Sequence, residues 1–265
     1  MLDSPYFVPT EAGLEPAPYA AGPWSPDMMH GRLLAGLAAY AIEQEHDITG
    51  FMPVRLTVDL FRNPAMAPVS VSTASVRSGG RVRAIDVILR IDGVDVARAS
   101  SLLLRIGTDP RDQPVPVSGL WDAPRPETIA QEPDDAASFD TVPVPGHGFN
   151  DDGRRQLWTR ERRPLVSGAA LTPFVRAALV ADIASPLANF GPQGLDYINA
   201  DLTLHLGRLP DGEWIGVETS TRVASAGVSV AVCTLHDLIG PIGLSTVCAV
   251  VNARLRPPAV SSGRA

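Results

Sequence analysis

Alternating apolar and polar residues fill both halves of the 265-residue chain, and one helical stretch precedes each set. In the first half the runs Pro53 to Arg62, Val69 to Arg77, Val82 to Ile91 and Val94 to Ile106 alternate with the period of half-buried strands. Asn63-Pro64, Ser78-Gly79-Gly80 and Asp92-Gly93 separate them, and Asp-Gly between two such runs predicts a type I′ hairpin turn. Upstream, Met29, Leu33, Leu37, Tyr40 and Ala41 recur at spacings of three and four, which predicts a helix over Met28 to Gln44. Apolar residues also occupy its other faces, so burial on most sides is expected. Ser25-Pro26-Asp27 reads as its start: Ser as N-cap, Pro at the first helical position, Asp near the positive end. Gly31 and Gly36 each cost a helix about 1 kcal/mol relative to Ala, which points to close packing there. Tyr6 to Pro9 reads as a short first strand.

The second half repeats the plan. Thr172-Pro173 begins a helix that runs to about Ala184, where Ser185-Pro186 is expected to kink or restart it. Strands are predicted over Asn199 to Leu206, Glu213 to Val223, Val228 to His236 and Ile242 to Ala253, with Gln156 to Arg162 ahead of the helix, anchored by Trp158. The repetition reaches the residues themselves. Leu-Thr-Val-Asp-Leu-Phe-Arg-Asn-Pro at 56–64 returns 146 positions later as Leu-Thr-Leu-His-Leu-Gly-Arg-Leu-Pro at 202–210. At an offset of 147, Ser25-Pro26 answers Thr172-Pro173, Val76 answers Val223, Gly80 answers Gly227 and Gly93 answers Gly240. A repeat of that length is about one small domain, so the chain reads as two tandem α+β units, each a long helix on an antiparallel sheet. The expected boundaries are 1–107, a Pro-rich linker at 108–153, a second unit at 154–256 and a flexible tail at 257–265.

Composition narrows the partners. At 45% hydrophobic and 19% charged, the chain has ordinary globular proportions, and its net charge of −7 argues against a nucleic-acid partner. All the basic residues are arginine. Cys233 and Cys248 make neither a disulfide framework nor a zinc spacing. The start lacks a basic stretch followed by an apolar one, and no run of about 18 apolar residues appears, so a cytoplasmic protein without a membrane span is expected. Phosphate-loop, dinucleotide, nucleophile-elbow and zinc-helix motifs are all absent from the sequence.

Among candidate groups, Asp182 follows Leu179 and Ala178 by three and four residues and so shares an apolar helix face. A carboxylate there is either paired structurally or held at a raised pKa as a general base. His30-Gly31-Arg32 is either a helix entrance whose free N–H groups hold an oxygen or phosphate, or a surface His beside a packing Gly. Cys248 is either a nucleophile or, in its apolar strand, an inert core thiol. His205 is a hydrogen-bonder or a proton shuttle. Arg77, Arg81 and Arg83, around a glycine turn, either grip phosphates or form a solvated hairpin.

A long helix with an antiparallel sheet, twice in one chain, resembles the double hot-dog fold. Ala181-Asp182-Ile183-Ala184-Ser185-Pro186-Leu187 is similar to the catalytic helix of the acyl-CoA thioesterase II family, and Leu202 to Pro210 with Gly212-Glu213-Trp214 is similar to that family's His-Arg-Pro strand and following Glu-Trp. Ser245-Thr246-Val247 stands where the family has a like run before its catalytic Gln. Arg32 to Gln44, Leu56 to Pro64 and Gly80 to Ala99 fit its N-terminal repeat. The resemblance implies hydrolysis of an acyl-CoA or acyl-carrier thioester by a water that Asp182 activates, with no metal or cofactor. Tyr197 falls at the family's Thr position, Asn199 where an Asp is common, and Cys248 at the Gln position, so Asp182, Asn199 and Cys248 are the catalytic candidates. His30, Gly31, Arg32, Gly36 and Tyr197 are the substrate-binding candidates, with the acyl chain in a slot between the two helices and a homodimer as a possible assembly. A catalytically degenerate acyl-CoA-binding protein is the alternative, and a hot-dog hydratase a third reading.

Overall fold

The computed structural model describes residues 4–23, 25–110, 121–130, 137–192 and 194–252. The tail expected at 257–265, and 111–120 and 131–136 of the Pro-rich stretch, lie outside the described residues. The first half contains β1 (Phe7–Thr10), β2 (Gly13–Pro16), β3 (Ala21–Gly22), β4 (Ser25–Met29), α1 (Arg32–Glu45), β5 (Phe51–Leu60), β6 (Val69–Ser78), β7 (Val82–Ile91) and β8 (Val94–Arg105). Then come β9 (Phe139–Pro143), β10 (Gln156–Glu161), α2 (Pro173–Ala181), α3 (Ala184–Asn189), β11 (Phe190–Gly191), β12 (Gly194–Leu195) and β13 (Tyr197–Asn199). The chain closes with β14 (Asp201–Leu206), β15 (Ile215–Ser225), β16 (Val228–His236) and β17 (Pro241–Val251).

The alternating runs become strands close to their predicted limits, and Asp92 and Gly93 both take positive φ, 52° and 76°, as the type I′ turn requires. One helix start changes. Ser25-Pro26-Asp27 does not open α1: these residues form β4, which pairs with β3. The Met29 and His30 N–H groups are committed to the Pro64 and Ala20 carbonyls, so helical bonding starts only with Leu33 N–H to His30 C=O. The second helix ends at Ala181, about three residues before its expected limit, and restarts as α3 around Ser185-Pro186, the place of the predicted kink or restart. Thr172 caps α2 as predicted, its side chain accepting from the Val175 N–H.

One antiparallel sheet runs through both halves in the order β1-β2-β6-β7-β8-β5-β14-β17-β16-β15-β10-β9, with β13 also on β17. Its centre is the pairing of β5 with β14, the two copies of the repeated motif. Thr57 lies opposite Thr203, its own counterpart at offset 146, and their hydroxyls are 3.2 Å apart. Leu56 faces Leu204 and Val58 faces Leu202, so a pseudo-twofold axis passes through the threonine pair, and the strand order reads alike outward from it.

The inner faces of β5 and β14 contribute Leu56, Val58, Leu202 and Leu204, all fully buried, to a single core around the helices. The helices meet at Gly36: a Cβ there would lie 2.5 Å from Leu179 Cδ2, so Leu179 occupies the space a side chain would take. The slot expected between the helices is therefore filled at this point by Leu179. A smaller apolar cluster of Val142, Val144, Trp158 and Trp214 is joined by Trp121 and Ile129 from within the stretch 108–153. Trp121 lies over Gly216, stacked on His236 at 4.3 Å, and Trp158 Nε1 donates to the Pro124 carbonyl at 2.9 Å.

Gly36→Val is expected to destabilise the protein by about 1–3 kcal/mol through overpacking against Leu179. Leu179→Ala in the same chain should recover part of that loss, because the cavity it opens receives the new methyls. Urea denaturation of the two single variants and the double one measures the coupling. Strict additivity would contradict the contact.

Candidate active site

Pro186 decides where α2 ends. A proline has no N–H for the carbonyl four residues back, and its ring crowds that carbonyl, which here belongs to Asp182. The chain leaves the helix after Ala181, and the Asp182 carbonyl accepts instead from the Ser185 N–H at 3.1 Å. Pro186 itself sits in the first turn of α3, where a missing N–H costs little. Asp182 is thereby placed at the end of α2, only 5% exposed.

Two other predicted residues meet it. Asn199 ends β13, and its Nδ2 donates to Asp182 Oδ1 at 2.7 Å. On the other side lies Gly31, at the entrance to α1: a Cβ there would be 3.8 Å from Asp182 Oδ2 and 4.0 Å from Leu60 Cδ1. The bare backbone of Gly31 thus faces the carboxylate. Its N–H bonds to no other described residue, whereas those of His30, Leu33 and Leu34 are all engaged. Asp182, Asn199 and Gly31 form one cluster of a carboxylate, an amide and a bare stretch of backbone.

Burial pushes the Asp182 carboxyl above the usual carboxylate range, while the Asn199 hydrogen bond and the Arg32 charge oppose that rise. Arg32 is only 1% exposed. It forms a short ion pair with Glu161, donates to the Tyr6 hydroxyl at 2.6 Å and lies 3.9 Å from the centre of the Phe139 ring. Burial works against its charge, but Glu161 and Tyr6 prevail and hold it protonated. His30 accepts the Arg32 N–H at Nδ1, 3.4 Å away, so its proton belongs on Nε2. Burial and the neighbouring Arg32 push its pKa down to about 3, which keeps the ring neutral.

The remaining candidates lie elsewhere. Gly36 is at the contact between α1 and α2. Tyr197 pairs across from Val251, its ring beneath the Arg222 guanidinium at 5.2 Å. Cys248 points outward from β17, on the face opposite the buried Ser245, Val247 and Ala249, so the structure does not bring it to Asp182. Nor is it a core thiol, the alternative read from its apolar strand: it is exposed, and partial desolvation with the Asp201 carboxylate raises its pKa. Arg83 stacks on Phe51 at 3.9 Å and donates to the Asp47 carbonyl, a structural use. Among the described residues no group of three or more His, Cys, Asp and Glu is placed to hold a metal.

Three further residues contribute: Ser245, which the sequence offered only as part of a family-like run, and Tyr6 and Glu161, to which it gave no role. Ser245 Oγ donates to the Ala181 carbonyl at 2.7 Å and so ties β17 to the helix end at Asp182. Its signal was present, since alternation places a serine on the apolar face of Ile242 to Ala253. Tyr6 and Glu161 come to Arg32 from 26 and 129 positions away, and nothing local marks that meeting.

Residues 20–104 match the family model described as the N-terminal domain of acyl-CoA thioesterase, and residues 110–251 match that of its C-terminal domain. No curated protein matches the chain. Solved structures are similar along most of its length. A tesB protein of Mycobacterium avium subs paratuberculosis is 16% identical with a TM-score of 0.67, over 89% of this chain and 91% of its own. A protein with a hot-dog fold from Alicyclobacillus acidocaldarius is 15% identical with a TM-score of 0.69, over 89% and 91%. The acyl-CoA thioesterase II TesB2 of Mycobacterium marinum is 15% identical with a TM-score of 0.63, over 86% and 91%. These likenesses establish the hot-dog fold. No helix among the described residues is long and apolar enough to cross a membrane.

The raised pKa of Asp182 has a consequence for stability. The folded protein holds this proton more tightly than the unfolded chain does, so the contribution of Asp182 is most favourable below the unfolded carboxylate value and is lost as pH rises through the folded value. Asp182→Asn removes the ionisation and keeps an acceptor for Asn199. The variant is expected to unfold at a higher urea concentration than the parent at pH 8, with the difference closing as the pH falls below the ordinary carboxylate range. A variant weaker than the parent at pH 8 would contradict a buried carboxylate that burdens the fold.

Proposed function

We propose that this chain, which belongs to the acyl-CoA thioesterase family, hydrolyses an acyl-CoA thioester with Asp182 as the general base. The observation that carries the reading is the cluster itself: Oδ1 of Asp182 is held by Asn199, while Oδ2 faces the Gly31 backbone. The Asn199 bond fixes the carboxylate plane and leaves Oδ2 to receive a proton. A water lying against Oδ2 gives up that proton as its oxygen attacks the thioester carbonyl carbon. Negative charge then develops on the carbonyl oxygen, and the Gly31 N–H is the donor at hand to stabilise it. Collapse of the tetrahedral species breaks the C–S bond, and the proton held by Asp182 passes to the departing thiolate. The products are a carboxylic acid and free coenzyme A. A base whose pKa stands above the ordinary carboxylate range suits this work, because it both accepts the proton and returns it.

One observation favours a second reading, an acyl-CoA-binding protein without turnover. The Tyr197 ring lies under Arg222, Cys248 points outward and the hydroxyl of Ser245 is committed to Ala181, so Asn199 is the one side chain among the described residues hydrogen-bonded to Asp182.

Thiol release from a panel of acyl-CoA substrates separates the two. Under the hydrolase reading, kcat/KM rises with pH and levels off above a pKa higher than that of a free aspartate. Asp182→Asn lowers kcat by about 10²–10⁴-fold, the range for loss of a general base, with substrate affinity nearly unchanged. Asn199→Ala lowers kcat less. No thiol release from any substrate, together with a rise in melting temperature on adding acyl-CoA, would replace the hydrolase with the binding protein.

A further inference from the structure

A cavity bounded by described residues lies apart from the carboxylate. It has a volume of about 610 Å³ and is bordered by residues 19–23, the entrance to α1, β9, Arg160 near the end of β10 and Trp214. His30 and Arg32 line it, whereas Gly31 between them faces Asp182, so the cavity and the carboxylate lie on opposite sides of one short piece of backbone.

Its walls have a particular chemistry. Tyr19, His30, Phe139 and Trp214 are flat rings, and Arg160 lies over the Trp214 ring at 4.5 Å. Leu33 is the one large aliphatic side chain in the lining. A saturated chain is matched by branched aliphatic walls, while rings at this density suit a flat guest that stacks edge-to-face or offset. The polar groups are one-sided as well. The Tyr19 hydroxyl, the Trp214 Nε1–H and the His30 Nε2–H each bring a donor that no other described residue engages. The Asp140 carboxylate, the one anion in the lining, is held at Oδ2 by Arg160 at 2.6 and 2.9 Å. These three donors suit a guest that supplies acceptors. His30 stays a neutral donor throughout the physiological pH range, because burial and Arg32 keep its ring from gaining a second proton.

We propose that this cavity is a second ligand site, separate from the Asp182 cluster, that takes a planar aromatic group bearing a carbonyl or carboxylate acceptor. The ring stacks among Tyr19, Phe139 and Trp214, and the acceptor meets the His30 Nε2–H. A free aromatic acid and the aryl-acyl portion of a thioester present the same chemistry.

Calorimetric titration tests this on the full chain with phenylacetate and with hexanoate, and on the Asp182→Asn chain with phenylacetyl-CoA, so that binding is read without turnover. The site predicts one saturable phenylacetate site and hexanoate binding at least about tenfold weaker, with His30→Leu and Trp214→Leu each weakening the aromatic ligand by about tenfold, the worth of one hydrogen bond or ring contact. Binding of phenylacetate that responds to both substitutions identifies a free-acid site. Binding of phenylacetyl-CoA alone, with the same response, identifies a pocket for the acyl group. Hexanoate bound as tightly as phenylacetate, no binding of either aromatic probe, or binding indifferent to both substitutions overturns the proposal. If one variant does not fold, the other still decides. Failure of thioester hydrolysis leaves this test intact, because no arm of it needs turnover.

Discussion

The antiparallel contact between β5 and β14 governs the geometry of the molecule. Two copies of one motif pair with each other about the Thr57–Thr203 pair, and antiparallel pairing of like with like generates a local twofold. Everything outward of that pair follows in mirrored order. Because β5 follows α1, while β14 lies a few residues beyond α2 and α3, the same contact brings the helices against each other under the sheet. Hydrogen bonds between the copies thus do more than extend the sheet. They set which residue of α1 meets which residue of α2, and so put Gly31 opposite Asp182.

Within that frame, the site depends on an interrupted helix. A continuous α2–α3 would give the Asp182 carbonyl an i+4 N–H, which Pro186 cannot provide. The break frees the chain to turn, and Ser245 and Asn199 then secure the two ends of the turn, one at the Ala181 carbonyl and the other at the Asp182 carboxylate. A carboxylate in such a place carries a desolvation cost that the local partners only partly relieve. Arg32 adds the compensating charge from across the interface, and it is kept there by Glu161 and Tyr6 rather than by solvent. Buried ion pairs contribute little net stability, so this one is better understood as fixing the side chains beside Gly31 than as holding the fold.

The legible part of the sequence was the part written in local periodicity. Val82 to Ile91 and Val228 to His236 became strands at those limits, and the Asp92-Gly93 turn has the predicted backbone, because alternation and positive φ are local properties. The helix starts show where local signals divide. Thr172-Pro173 and Ser25-Pro26 carry nearly the same signature, yet only the first opens a helix. Around Ser25 the carbonyls of Pro64 and Ala20 take the N–H groups just ahead of α1, and no local pattern announces a competitor that far away. The same holds at the site. Asp182, Asn199 and Gly31 could each be singled out, but Cys248 and Tyr197 were placed by counting along strands, and a single change of face moves such a residue out of reach. Tyr6, Glu161 and the aromatic cavity depend on contacts between residues far apart in the chain, 129 positions for Arg32 and Glu161, and have no signature of their own.

The twofold plan invites a second carboxylate, and the packing shows why α1 cannot hold one. The position in α1 that answers Asp182 is Ala35 or Gly36, and both are buried without exposure to solvent. At Gly36 any side chain would begin inside Leu179, and at Ala35 an added carboxylate would enter a core with no donor assigned to it. The close approach of the helices at Gly36 is also what allows Gly31, little more than one turn away, to come up to Asp182. Closeness on one side of the pseudo-axis therefore excludes the equivalent group on the other. A single carboxylate cluster in a twofold framework is then a product of packing: the repeat that supplies the bare backbone cannot also supply the base.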